Sequence, residues 1–140
     1  MIIDEQNNIR IVRGDTGEIT VELETSGGEP YVFTENDYLK FGVKRSPFDS
    51  ALVIEKDIPT DTGKLVLDSE STANLEFGDY LYDIRLYSVD SETGAVSVST
   101  PISGKFSVGY NVLPSEIEIP EEEDDSDDSS DDNENTNDNN

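Results

Sequence analysis

The longest strand signal in the chain is residues 79–87, with the sequence DYLYDIRLY. Tyr80, Tyr82, Ile84 and Leu86 occupy every second position, and mostly polar residues stand between them. Successive side chains of a β-strand point to opposite faces, so this period of two predicts a strand with one buried face.

The same alternation recurs along much of the chain. Residues 18–24, EITVELE, alternate apolar side chains with glutamate and threonine, which is typical of a half-buried antiparallel strand. Shorter strands are predicted at residues 9–11, 39–44, 52–58, 64–67, 95–99 and 105–108. Residues 68–75 predict one helical turn, with Asp68 or Ser69 as its N-cap.

Short strands at roughly ten-residue spacing, separated by turn residues, are typical of a β-sandwich or a small barrel. We expect the sandwich, because a helical turn beside a strand-to-strand crossover suits a Greek key. The predicted fold is thus all-β and antiparallel, with one short helical turn. Its core is predicted to contain Ile19, Val21, Leu39, Phe41, Ile84, Leu86 and Phe106.

Composition supports strands and excludes several functional classes. The chain has 22 valines and isoleucines but only 4 alanines and methionines, which favours strands over helices. It has no Cys, His or Trp, which excludes disulfides, thiolate or imidazole chemistry and a true antibody domain. With 33 acids against 9 bases its net charge is −24, which disfavours binding to nucleic acid or to an anionic membrane.

The acidic residues divide the chain into regions. Residues 121–140 contain eleven acids and no apolar or basic residue, so we expect this tail to be disordered. The predicted organisation is an N-terminal arm at 1–7, one domain at 8–113, a linker at 114–120 and the acidic tail at 121–140. The first residues lack a secretory pattern and no apolar stretch approaches a membrane span, so we expect a soluble product of the cytoplasm.

Two motifs suggest chemistry but also have simpler explanations. Arg13-Gly14-Asp15 is an integrin-binding tripeptide, and it is also a typical turn sequence. Carboxylates such as Glu22, Glu24, Asp79 and Asp83 could pair to cleave glycosides, but among 33 acids some pair by chance. We therefore predict no catalytic residue and no enzyme.

Candidate ligand sites also have simpler explanations. No calcium-binding loop motif occurs, and Asp124–Asp128 would attract cations only diffusely, so no metal site and no cofactor is predicted. A sugar-stacking platform could use tyrosines, although Tyr80 and Tyr82 fit the core with their hydroxyls at its rim. The acidic tail could mimic DNA or face a basic partner. The tyrosines considered are Tyr31, Tyr38, Tyr80, Tyr82, Tyr87 and Tyr110.

A series of short motifs gives a more specific indication. In chain order they are RGDT (13–16), KRSP (44–47), IEK (54–56), GKLVL (63–67), TANL (72–75), GDYLYDI (78–84) and GKFSV (104–108). Over residues 8–112 this order resembles the immunoglobulin-like N-terminal domain of phage baseplate upper proteins and related small phage virion proteins. The resemblance implies an immunoglobulin-like β-sandwich that docks onto a phage particle.

These observations lead to one expected function and two alternatives. The expected function is a non-enzymatic structural protein of a phage virion, an adaptor or decoration on the tail baseplate or capsid, assembled in the host cytoplasm. Its partners would be other virion proteins, without nucleic acid or membrane, and self-association stays open. The alternatives are a module that binds carbohydrate or a host-surface protein, and an acidic inhibitor that mimics DNA.

Overall fold

Eight β-strands and one 3₁₀ turn make up the computed structural model, which describes residues 1–114 and 117–120. The strands are β1 (Ile2–Ile3), β2 (Ile9–Val12), β3 (Gly17–Thr20), β4 (Asp37–Lys44), β5 (Ile54–Ile58), β6 (Lys64–Leu67), β7 (Gly78–Val89) and β8 (Val96–Gly109). The 3₁₀ turn is Ser69–Ser71. A membrane-crossing helix is not found in the described part of the chain.

The strands form two sheets. A curled six-stranded sheet has the order β1-β2-β8-β7-β4-β5, and β3 pairs with β6 in a second sheet of two strands. The predicted all-β class is confirmed. The prediction that all pairing is antiparallel is wrong at one place, since β2 and β8 run parallel, with Ile9 opposite Phe106. A parallel pair needs a long connection, and almost the whole domain lies between these two strands.

One hydrophobic core receives side chains from both sheets. Val21, Leu39, Phe41, Ile84 and Phe106 are buried as predicted. The other two predicted members, Ile19 and Leu86, are partly buried and pack against the core. Tyr80 and Tyr82 are also buried, with their hydroxyls donating to the carbonyls of Glu76 and Asn7, as a position at the core rim predicts.

The last strand differs from its prediction. The two strands expected at residues 95–99 and 105–108 are one continuous strand, β8. Ile84 of β7 lies opposite Ile102, whereas Leu86 lies opposite Ser99, so two residues of β8 stand opposite one of β7. One of these two is Pro101. A bulge leaves a position unpaired, and it can therefore hold a proline, which has no backbone N–H to donate.

The strand predicted at residues 18–24 is shorter than expected. Its pairing with β6 ends at Thr20, although Val21 and Leu23 remain buried. Beyond that point the chain meets a turn, in which Gly63 accepts a hydrogen bond from the amide of Val21, at 2.7 Å. Buried and exposed side chains therefore continue to alternate, as predicted, beyond the end of the hydrogen-bonded ladder between β3 and β6.

The predicted helical turn is confirmed. Asp68 is its N-cap, and its carboxylate accepts hydrogen bonds from the amide and the hydroxyl of Ser71, at 3.1 and 2.9 Å. This turn joins β6 of the small sheet to β7 of the large sheet. The cap thus stabilises the point where the chain crosses between them.

Gly63 gives a test of this packing. Its φ is +69°, and a Cβ placed on it would lie 2.7 Å from the carbonyl oxygen of Val21. We expect Gly63→Ala to lower the free energy of unfolding by about 2 kcal/mol or more, because the left-handed conformation alone costs an L-residue about 1–2 kcal/mol. Denaturant unfolding measures the loss. Gly94→Ala is the matched control, since φ is +75° there with nothing within 4 Å. Equal losses in the two variants would contradict the close approach to Val21.

Candidate docking surface

The exposed side of the six-stranded sheet has an unusual charge balance for this chain. We call it the outward face, and it consists of the exposed alternate residues of β2, β4, β5, β7 and β8. It carries five of the nine bases but only four of the 33 acids. The bases are Arg10, Lys40, Lys44, Arg85 and Lys105, and the acids are Glu55, Asp57, Asp79 and Asp83. The face is therefore close to neutral on a chain of net charge −24.

Some of these charges neutralise one another within the face. The Nζ atom of Lys40 lies 3.1 Å from Oδ1 of Asp57 and 3.9 Å from Oε2 of Glu55. The hydrogen bond and charge of Asp57 raise the pKa of Lys40. The Nζ atom of Lys105 lies 3.8 Å from Oδ2 of Asp79. These are exposed pairs, so each contributes little to stability.

Other bases of the outward face have no such partner among the described residues. Within residues 1–114 and 117–120, no carboxylate lies within 4.0 Å of the charged groups of Arg10, Lys44 or Arg85. Arg85 lies on the central strand β7, directly beside Lys40 of β4. The middle of the face therefore presents cationic groups that a second molecule can pair with.

Apolar side chains complete the outward face. Tyr38 lies beside Tyr87, which lies beside Val98, in one row across β4, β7 and β8. Tyr38 and Val98 are each about half exposed. Near the other end, Leu52, Leu81 and Lys44 line a shallow cavity of about 260 Å³. Exposed apolar and aromatic side chains beside arginine are features that many protein–protein contact surfaces share.

The Arg13-Gly14-Asp15 sequence forms a turn, as predicted. The amide of Asp15 donates to the carbonyl of Val12, and the amide of Gly14 donates to the buried hydroxyl of Thr72, at 2.7 Å. The guanidinium of Arg13 lies over the Phe77 ring, 4.3 Å from its centroid. Its Nε donates to Asn111, at 3.1 Å. The turn therefore fastens the end of β2 to the β6–β7 connection and to the segment that follows β8.

The four acids considered for catalysis lie in two different places. Asp79 and Asp83 are on the outward face, where Asp79 also accepts a hydrogen bond from the hydroxyl of Ser107, at 2.7 Å. Glu22 and Glu24 instead line a groove beside the continuation of β3. The structure does not bring the four carboxylates together as one group.

The tyrosines considered for sugar stacking are also dispersed. Tyr80 and Tyr82 are buried, and burial, with a smaller contribution from the charge of Asp4, raises the pKa of Tyr82 to about 12. Tyr31 packs edge-on against Phe33, and Tyr110 packs against Phe77. Tyr38 and Tyr87 lie opposite each other on the outward face.

The described residues contain no set of three or more Asp, Glu, His or Cys side chains that could hold a metal ion. The segment Asp124–Asp128 and the rest of the acidic tail, 121–140, lie outside the described residues.

In comparisons with known proteins, no family model, no curated protein and no solved structure matches this chain.

Sequence reasoning did not single out the outward face as a unit. Its bases are spread from Arg10 to Lys105 and share no local motif. The alternation of buried and exposed residues nonetheless indicated which side chains point outward. Lys40 and Lys44 alternate with buried residues of β4, and Arg85 alternates with buried residues of β7. Only the order of the strands shows that these separate positions meet.

Asp37 is a structural residue that the sequence did not reveal. Its side chain is only 6% exposed, and it accepts hydrogen bonds from Ser88 Oγ at 2.6 Å, Thr34 N at 2.9 Å and Tyr31 Oη at 3.0 Å. Burial acts to raise the pKa of this carboxyl, but the hydrogen bonds outweigh burial and hold that pKa below its usual value. Asp37 thus joins the start of β4 to the end of β7.

Proposed function

We propose that this chain is a non-enzymatic structural protein of a phage virion. In this proposal it docks on the tail baseplate or the capsid, as an adaptor or a decoration, after assembly in the host cytoplasm. The single observation that carries the docking role is the outward face, with its near-neutral charge, its exposed apolar groups and its cations that have no carboxylate partner among the described residues. The assignment to a phage particle is supported by the order of motifs between residues 13 and 108.

The proposed fold is an immunoglobulin-like β-sandwich. Three features support it: two sheets contribute to one core, a capped 3₁₀ turn joins β6 to β7, and the parallel β2–β8 pair ties the first part of the domain to the last. Such a domain presents a sheet face at each side, and here one of those faces is the outward face.

The outward face favours a partner that presents carboxylates opposite its middle and apolar groups opposite its two ends. Arg10, Lys44 and Arg85 would pair with the carboxylates, and Tyr38 and Leu81 would contact the apolar groups. Five strands about 4.8 Å apart and a β4 strand of eight residues make the face about 20 Å by 26 Å. Side chains that project from the face increase its accessible area beyond that of a flat rectangle. This brings the area toward the roughly 800 Å² that each partner contributes to a standard interface.

Sedimentation of phage particles tests the proposal. The wild-type chain, and a chain ending at Pro120, should co-migrate with purified particles in a density gradient. Reversing two unpaired charges, Lys44→Glu with Arg85→Glu, should lower the amount bound by about tenfold or more, since like-charge contacts disfavour association. The control, Lys56→Glu with Lys64→Glu, changes the net charge equally but lies off the outward face, and it should bind as the wild type does.

Each contrary result has a distinct meaning. If the wild-type chain stays in the soluble lysate while the particles are complete, the virion proposal is wrong and the inhibitor alternative gains. If the wild-type chain and the Lys44→Glu, Arg85→Glu variant both co-migrate fully, docking uses another surface. Specific retention on a glycan array would support the carbohydrate-binding alternative instead. Thermal melting of each variant confirms that it is folded before the comparison.

A further inference from the structure

A groove runs along β3 and its continuation, away from the outward face. It consists of two neighbouring cavities, of about 770 and 280 Å³, which share the lining residues Thr20, Val21, Glu22 and Ile102. We call it the β3 groove. It extends from Ile3 and Asn7 at one end to Tyr31 and Phe33 at the other.

One wall of the β3 groove includes an unpaired strand edge, and residues 60–63, on the paired side of Val21, also line the larger cavity. β3 pairs with β6 on one side, and no other described strand pairs with its second side. The amide of Val21 donates to Gly63, at 2.7 Å, and so points to the β6 side. Backbone groups of consecutive strand residues point to opposite sides, so the amides of Thr20 and Glu22 point away from β6. They are available to pair with another strand.

The opposite wall is less suited to pairing. It includes the β8 bulge, where Pro101 has no amide hydrogen to donate and Ile102 packs its side chain against the core. We therefore expect an extended segment in the groove to form its ladder with β3. On its other side it would meet the apolar side chains of Ile84 and Ile102.

The polar groups of the β3 groove have one sign of charge. Its lining includes Asp4, Glu22, Glu24 and Asp61, and no lysine or arginine of the described residues lines it. The hydroxyl of Tyr31 is already bonded to Asp37. The groove thus combines an apolar floor, an open backbone edge and acidic side chains. The groove is therefore negatively charged, whereas the outward face is close to neutral.

We propose that the β3 groove binds an extended segment of another polypeptide, which adds a strand to β3. The segment would alternate aliphatic residues with lysine or arginine. Its aliphatic side chains would cover Val21 and Ile102, and its basic side chains would reach the carboxylates of Glu22 and Glu24. Strand addition supplies main-chain hydrogen bonds, while alternate side chains supply specificity. The inference does not rest on particle docking, which uses the outward face.

A designed peptide tests strand addition on the full-length protein. Residues 17–24 span about 26 Å, so a peptide of about eight residues, alternating lysine and valine, matches their length. Fluorescence anisotropy measures binding, and amide hydrogen exchange should show protection at Thr20 and Glu22. Two control peptides have the same composition. One places all its lysines before its valines, and the other carries N-methyl groups on alternate amides, which remove the hydrogens needed for a ladder.

Charge reversal in the β3 groove gives the matching protein variants. Glu22→Lys with Glu24→Lys should weaken binding by about tenfold or more, because like charges would then meet. The control, Glu70→Lys with Glu92→Lys, changes the net charge equally at exposed positions outside the groove, and it should bind nearly as well as the wild type. All variants are compared after thermal melting shows that they are folded.

The outcomes separate the proposal from its competitors. Tight binding of the alternating peptide alone, with protection at Thr20 and Glu22, supports strand addition. Equal binding of all three peptides would overturn it, because charge attraction alone would explain the result. Absence of binding by the alternating peptide would also overturn it. So would displacement of that peptide by a neutral oligosaccharide without any protection of the β3 edge, which would point to a sugar site.

Discussion

Replacing Phe41 with alanine is expected to lower the free energy of unfolding by about 3–5 kcal/mol. Phe41 lies in the centre of β4 with none of its surface exposed, and its ring contacts Tyr82 and Phe106, with centroid distances of 5.5 and 5.9 Å. A domain of this size has only about 5–15 kcal/mol of stability. Repulsion within a chain of charge −24 reduces that reserve further. The variant should therefore be partly unfolded at ambient temperature.

Denaturant unfolding, followed by a spectroscopic signal of the tyrosines, measures this loss. Phe48→Ala is the matched control, because the Phe48 side chain is 94% exposed and should cost no more than about 0.5 kcal/mol. If Phe41→Ala unfolded at the same denaturant concentration as the wild type, the register of β4 would be displaced by one residue. Every side chain of β4 would then face the wrong side of the sheet.

Replacing Asp37 with alanine is expected to cost about 2–4 kcal/mol, since three donors lose a buried charged acceptor. These donors are the Ser88 hydroxyl, the Thr34 amide and the Tyr31 hydroxyl. Asp49→Ala removes an exposed carboxylate of the same type and should change stability little. Equal stability of the two variants would show that the Asp37 hydrogen bonds contribute nothing net to folding.

The pH dependence of the Asp37 contribution follows from its lowered pKa. Because the folded-state pKa lies below the unfolded value of about 3.9, Asp37 stabilises the protein fully above that unfolded value. The contribution is lost as the pH falls through the folded pKa. The stability difference between the wild type and Asp37→Asn should therefore shrink below about pH 4. Acid also protonates the other carboxylates and so weakens the repulsion between them in both proteins. The difference in stability between the two proteins removes this shared effect.

Local patterns predicted those elements whose structure depends on local residues. β6 lies at the predicted residues 64–67, β7 contains the predicted 79–87, and Asp68 caps the predicted helical turn. Alternation also placed Phe41 and Ile84 in the core. In each case the information lies within a few consecutive residues, in a period of two or in the side chain of a capping residue.

The remaining features depend on contacts between distant residues. Pro101 looks like the end of a strand until the bulge opposite Arg85 is known. Thr20 ends a ladder because its partner strand begins at Lys64, and residues 21–24 alone give no sign of this. Asp37 is one acid among 33, and its burial depends on Ser88, far along the chain. The outward face and the β3 groove likewise exist only once the strand order brings their residues together.

The parallel pairing of β2 with β8 has a consequence for synthesis of the chain. β2 is synthesised well before β8, which is one of its two partners in the sheet, so Ile9 cannot pair with Phe106 until β8 has also left the ribosome. The six-stranded sheet therefore cannot close until nearly the whole domain has emerged. Contacts of such long sequence separation fold slowly, in milliseconds to seconds, and leave strand edges exposed in the meantime. The strong negative charge has a second role in that interval, since nascent chains that repel one another are slow to aggregate.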